Sequence, residues 1–175
     1  MIFPRVATFL ILGLFSQPVF ADILDAVSFL NPKMPFENIV TGGQPSESDL
    51  TLLKEKGVTT VINLRPSYEF DKFDEASVVK SLGMSYASIP IASSKDISEE
   101  NAVKLDNVLK ETNGTVFVHC KSGNRVGALF SLRAFFVENQ TAEQSLLLGK
   151  NAGLTSLEKR VKTVLSSHDP EESPY

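Results

Sequence analysis

Thr115–Arg133, TVFVHCKSGNRVGALFSLR, is the stretch around which the chain is organised. Val116, Phe117 and Val118 read as a short buried strand that turns at His119-Cys120. The chain then passes through Lys121-Ser122-Gly123-Asn124-Arg125 into an apolar helix starting near Val126. Cys120, the only cysteine, therefore sits between a strand end and a helix start. Backbone N–H groups at a helix start are unpaired and carry about half a positive charge. A thiol placed there is stabilised as thiolate, and an oxyanion finds ready donors. Gly123 lets the chain fold tightly around an anion, and Arg125 adds a planar fork of donors suited to phosphate or sulfate.

Working outward, strand and helix patterns alternate. Ile39–Gln44 reads as a strand leading to a Gly-Gly turn, and Ser46 with Asp49 predicts a capped helix closed by Gly57. Val58–Leu64 (VTTVINL) is a β-branched run and a buried strand. An acidic stretch from Glu69 to Glu75 leads to a helix ending at Gly83, and Met84–Ile91 predicts a further strand. Ser98 caps a helix through Glu111, with Val103, Leu105, Val108 and Leu109 on its apolar face. Thr141 with Gln144 and Thr155 with Glu158 read as two more capping boxes. Asp22–Phe36, with Pro32 and Pro35, reads as a short amphipathic stretch and a loop. This alternation predicts an α/β fold: one domain over residues 37–167, with a mostly parallel central sheet flanked by helices on both faces.

His-Cys followed by Gly and Arg resembles the signature loop of cysteine-dependent phosphatases. That signature has five residues between Cys and Arg; here there are four, and Val126 stands where the phosphatase Arg would be. A Cys-x4-Arg loop also looks like the active loop of rhodanese sulfurtransferases. Upstream, GGQPSESDLTLLKEKGVTTVINLRPSYEF resembles the phosphatase-like domain of the bacterial beta-lactamase-hydrolase-like family. There a Gly-Gln-Pro, a helix, an Ile-Asn-Leu-Arg strand end and a Cys-x4-Arg loop follow in this order. The resemblance spans about Gly42 to Leu165 and implies the dual-specificity phosphatase fold and phosphomonoester hydrolysis.

On that reading Cys120 is the nucleophile, forming a cysteinyl-phosphate. Lys121, Ser122, Gly123, Asn124 and Arg125 form the substrate-binding loop. The resemblance implies that His119 orients the Cys loop by hydrogen bonds rather than moving protons. Dual-specificity phosphatases carry their general acid on the loop after the strand matching Tyr86–Ile91. Here the first Asp on that loop is Asp96, several residues late, with Asp71 and Asp74 as the other candidates. Arg65, at a strand end, either supports an anion or pairs with Glu69. Two alternatives stay open: sulfur transfer through a cysteine persulfide, and anion binding without turnover.

Residues 1–21 carry one positive charge, an apolar run Val6–Phe15 and a small-residue site at Ala21, the build of a cleaved secretory signal. A periplasmic or secreted location is expected. Cleavage removes Arg5 and no acidic residue, so the net charge of −4 becomes −5. That balance argues against nucleic acid and anionic membranes and leaves a phosphorylated or other anionic substrate as the expected partner. Residues 22–36 form a lead segment, and residues 168–175 a polar tail. With one Cys no internal disulfide is possible, and two His beside that Cys do not make a zinc site. No cofactor is expected.

Overall fold

The computed structural model describes residues 21–70 and 73–168. Residues 1–20 of the expected signal segment, candidate Asp71 and residues 169–175 of the expected tail lie outside the described residues.

Five strands line up as β1-β2-β5-β3-β4: β1 Lys33–Phe36, β2 Ile39–Gly42, β3 Val58–Asn63, β4 Ser85–Ser88 and β5 Thr115–His119. Four of them run parallel, and β1 pairs antiparallel with β2 at the edge. Successive side chains of a strand face opposite ways, and the sequence is apolar on both faces. Val116 and Val118 enter one core and Phe117 the other, and likewise Ile62 against Val61 and Ile39 against Val40. One core is closed by helices α4 (Glu99–Glu111), α5 (Asn124–Phe136), α6 (Ala142–Asn151) and α7 (Glu158–Ser166). The other lies under α1 (Ala21–Ala26), α2 (Glu47–Glu55) and α3 (Glu75–Ser81). Buried on two faces, such a sheet reads as apolar runs rather than alternation.

The register places Gly42 and Asn63 on either side of His119, and Ser88 beyond Asn63. The Gly-Gln, Asn-Leu-Arg and His-Cys motifs therefore leave the sheet side by side at its carboxyl edge, where open α/β sheets put their ligands.

Four details depart from the expectations. Lys33–Phe36, read as loop because of its prolines, is a strand; on an edge the missing Pro35 N–H breaks no inner ladder. The strand expected over Met84–Ile91 ends at Ser88, because Pro90 has no N–H to donate, although Ile89 and Ile91 still donate to the Asn63 and Leu64 carbonyls. Val103 is exposed, since two residues along a helix put it opposite Leu105. Helix α7 starts after Leu157 without a side-chain cap: Thr155 is held instead by Asn124, whose Oδ1 accepts from its N–H at 2.8 Å.

The box at Ser46 does more than cap α2. Asp49 accepts from Ser46 N–H at 2.9 Å and also from Ser28 N–H at 2.7 Å, which fastens the lead segment to the helix. Burial works against the charge of Asp49, but these bonds to Ser28 and Ser46 outweigh it and hold the carboxyl below its ordinary range. Its contribution to stability is therefore fully present above the unfolded carboxylate pKa, about 3.9, and is lost as pH falls through the lowered folded value. Urea unfolding of wild type and Asp49→Asn across pH 7 to 3 should show a gap that narrows with acid; a constant gap would contradict this assignment.

Candidate active site

The Cys loop is held from three sides. Cys120 N–H donates to the Gly42 carbonyl at 3.3 Å and Gln44 N–H to the Lys121 carbonyl at 3.3 Å, tying the loop to the end of β2. Asn31 donates to the Gly153 carbonyl at 3.2 Å and to the Ser122 carbonyl at 3.5 Å. Asn124 accepts from Thr155 N–H and donates to Ser156 Oγ at 2.8 Å, joining the loop to the turn before α7. Gly123, the residue before α5, has φ 85°, a left-handed conformation that a side chain would strain. In that pose its N–H donates to Cys120 Sγ at 3.2 Å. The sulfur thus lies at the N-terminus of a 13-residue helix, as the sequence predicted, and the Cys120 residue is 1% exposed.

Val126 is fully buried in the core, so no arginine could serve from that position. One residue is about 100° of helix rotation, and Arg125 points to the rim instead. Its Nη1 and Nη2 donate to the two carboxylate oxygens of Glu69, each at 2.8 Å, and Nη1 donates again to the Ile91 carbonyl at 2.9 Å. Those bonds take three of the five guanidinium hydrogens and leave the Nε/Nη2 edge. Arg125 is pushed above its ordinary range: burial opposes this, but the hydrogen bond to Glu69 and the neighbouring Cys120 prevail. Glu69 is held low in turn, chiefly by its bond to Arg125. Arg65 pairs with Glu69 as expected, Nε to Oε2 at 3.4 Å, and also bonds the Glu69 carbonyl and Gln44.

Arg125, Asn124, Ser122 and Lys121 border a cleft of about 320 Å³, closed opposite by Glu69 and Ala92–Ser94. Lys121 also borders a second pocket of about 770 Å³, with Gln44, Arg65, Phe29 and Phe73. His119 is fully buried, stacked on Phe117 at 5.2 Å, with Nδ1 3.3 Å from the Cys120 carbonyl.

The acid candidates are placed differently. The Asp96 carboxylate accepts from Ser93 N–H at 2.7 Å, Ala92 N–H at 3.0 Å and Ser93 Oγ at 3.0 Å, capping its own short turn. The backbone bond from Ser93 is the main influence holding it below its ordinary range. A general acid must carry a proton; this turn holds the deprotonated form. Asp74 caps α3 through Ser77 and is fully exposed. Sequence reasoning missed Glu75, and it gave Glu69 to Arg65 without its pairing to Arg125. Glu75 is buried and sits 2.7 Å from His119 Nε2, also accepting from Gln44 and Asn63.

A mostly parallel αβα sheet with a buried cysteine and an arginine at one helix start is the arrangement of cysteine-dependent phosphatase domains, and the comparisons with known proteins fall in that class. The chain belongs to the family described as DSP-PTPase phosphatase fused to NAD+ kinase, whose model matches residues 30–167. It is 33% identical over 100 residues to a beta-lactamase hydrolase-like protein of Agrobacterium fabrum, and 29% over 100 residues to one of Xylella fastidiosa. Each match covers 55% of this chain and 23% of the relative. Among solved structures, a DUF442 protein of Shewanella putrefaciens CN-32 superposes with TM-score 0.60 at 24% identity, over 83% of this chain and 96% of that one. Tk-PTP gives 0.60 at 17%, over 79% and 97%. TpbA of P. aeruginosa, solved in complex with phosphotyrosine, gives 0.53 at 16%, over 73% and 78%.

Proposed function

We propose that this domain hydrolyses phosphomonoesters through a cysteinyl-phosphate on Cys120. One observation carries the reading most: the Cys120 sulfur, a loop N–H aimed at it from 3.2 Å and Arg125 beside it share one helix start. The thiolate attacks phosphorus and the bond to the leaving oxygen breaks. Water then attacks the cysteinyl-phosphate, releasing inorganic phosphate and restoring the thiolate. The N–H groups of Lys121, Ser122, Asn124 and Arg125 and the open Nε/Nη2 edge of Arg125 receive the non-bridging oxygens, while the Gly123 N–H holds the sulfur. The Glu69 pair fixes the guanidinium beforehand, so its geometry is not created at the moment of reaction. The 770 Å³ pocket beside Lys121 gives room for the remainder of the substrate. The phosphotyrosine bound by TpbA supports an aryl phosphate as the first substrate to test.

Asp96 is assigned to the turn rather than to proton donation. An alkoxide leaving group needs a proton and an aryl oxide needs it far less, and a positioned acid contributes roughly 10²–10⁴-fold. The enzyme should therefore favour aryl over alkyl phosphates by a factor in that range. Asp96→Asn should lower both activities alike, within about threefold of each other, because it loosens Ala92–Ser93 and removes no proton. A selective loss with alkyl substrates would restore Asp96 as the acid. We further propose export with cleavage near Ala21, supported by the apolar run and small-residue site. N-terminal sequencing of exported protein should begin near Asp22; a full-length N-terminus in the membrane fraction would contradict it.

A further inference from the structure

Glu75 lies under the Cys loop and borders neither cleft. It is 5% exposed, at the start of α3, and its carboxylate is bonded from three other segments. Gln44 beyond β2 and Asn63 of β3 donate to it, the latter at 3.2 Å, and His119 of β5 lies 2.7 Å away. Burying a carboxylate is costly unless it is paired, and packing alone would be served by an apolar residue. The arrangement beyond Glu75 shows what the pairing does. His119 Nδ1 faces the Cys120 carbonyl at 3.3 Å while Nε2 faces Glu75. Carbonyl and carboxylate oxygens only accept, and a neutral imidazole has a single N–H. Both contacts are satisfied only when both ring nitrogens carry hydrogen.

We propose that Glu75 is a positioning residue for Cys120, holding His119 with both nitrogens protonated so that the ring grips the Cys120 carbonyl. The grip turns the carbonyl dipole of Cys120 away from the cleft and sets the positive end of the His119–Glu75 pair on the Cys120 side. The inference rests on Cys120 acting as the nucleophile. Arg65, at the end of β3, adds a like charge near His119 and is itself bonded to Gln44 and Glu69. Tyr86 of β4, whose hydroxyl accepts from Asn63 at 3.1 Å, is pushed up by burial and by Glu75, so it stays neutral. Asp74 is exposed. Glu75 is therefore the anion in contact with the His119 ring.

Glu75→Gln keeps the shape and one acceptor oxygen, which can still face His119 and Asn63, but it removes the charge and replaces the acceptor facing Gln44 with a donor. It should slow iodoacetamide alkylation of Cys120 at neutral pH roughly tenfold, the equivalent of one unit of differential protonation. It should lower kcat similarly and leave KM within about twofold. Glu75→Asp should recover part of both. Unchanged alkylation and kcat with a lowered Tm would make Glu75 a stability residue only and overturn the proposal. If Glu75→Gln does not fold, nitrogen-15 NMR of the wild type decides. The chain has two histidines, so His168→Gln identifies the His119 signal. Two protonated ring nitrogens support the proposal, and a neutral ring overturns it. Alkylation and NMR need no phosphate turnover. If they behave as expected while aryl phosphates are not hydrolysed, the phosphatase reading fails and the Glu75 role stands.

Discussion

Cys120→Ser lowers kcat for an aryl phosphate by roughly 10⁴-fold or more, the scale on which losing a covalent nucleophile is felt. The serine oxygen is smaller than sulfur and the site is 1% exposed, so the loop accommodates it without strain. Its hydroxyl is far less acidic than a thiol, however, and the neighbouring imidazole is not placed to activate it. The nearest ring, His119, turns Nε2 to Glu75 and Nδ1 to the Cys120 backbone carbonyl, so neither nitrogen faces the side chain of residue 120. Binding should survive, because the loop N–H groups and Arg125 remain. The check is steady-state kinetics beside calorimetric titration with inorganic phosphate. The expected result is lost turnover with phosphate affinity within about fivefold of wild type, since each 1.4 kcal/mol is tenfold. Residual turnover within tenfold of wild type would remove Cys120 from the chemistry.

Arg125→Lys has the second largest effect. The guanidinium chelates Glu69 with two parallel bonds, donates to the Ile91 carbonyl and keeps a second edge for the substrate. An ammonium has three donors on a flexible stem and cannot make two parallel pairs in opposite directions. It can hold Glu69 or meet phosphate, with neither geometry fixed. The expected loss is roughly 10²–10³-fold in kcat/KM, the order found when one oxyanion donor is removed. A loss under about threefold would show that Arg125 is a rim salt bridge and that the loop N–H groups alone receive the anion.

How much of this was legible in sequence follows from how local each interaction is. The caps at Ser46, Ser98 and Thr141 are complete within four residues, and each forms as read. The Cys loop is equally local: strand, Gly123 and helix start are contiguous. The edge strand Lys33–Phe36 was hidden because its prolines signal a loop and only pairing with β2 makes it a strand. Glu75, and the pairing of Glu69 with Arg125, were hidden for the opposite reason. In sequence both glutamates belong to an acidic stretch of solvated character, and their partners Arg125 and His119 are 56 and 44 residues away. A weak signal did exist for Glu75. It stands one helical turn before Val79, on the face that turns inward. The loop-length problem also needed three dimensions, since only the burial of Val126 shows why the arginine is one position early.

The central claim is tested most directly by trapping the intermediate. The protein is mixed with an aryl phosphate, quenched in acid during turnover, digested and analysed by mass spectrometry, with thiosulfate run in parallel. The account predicts one phosphoryl group on the peptide carrying Cys120, none in Cys120→Ser, and no persulfide from thiosulfate. A persulfide on Cys120 with no phosphopeptide, or aryl phosphate turnover with Cys120 unmodified throughout, would contradict it.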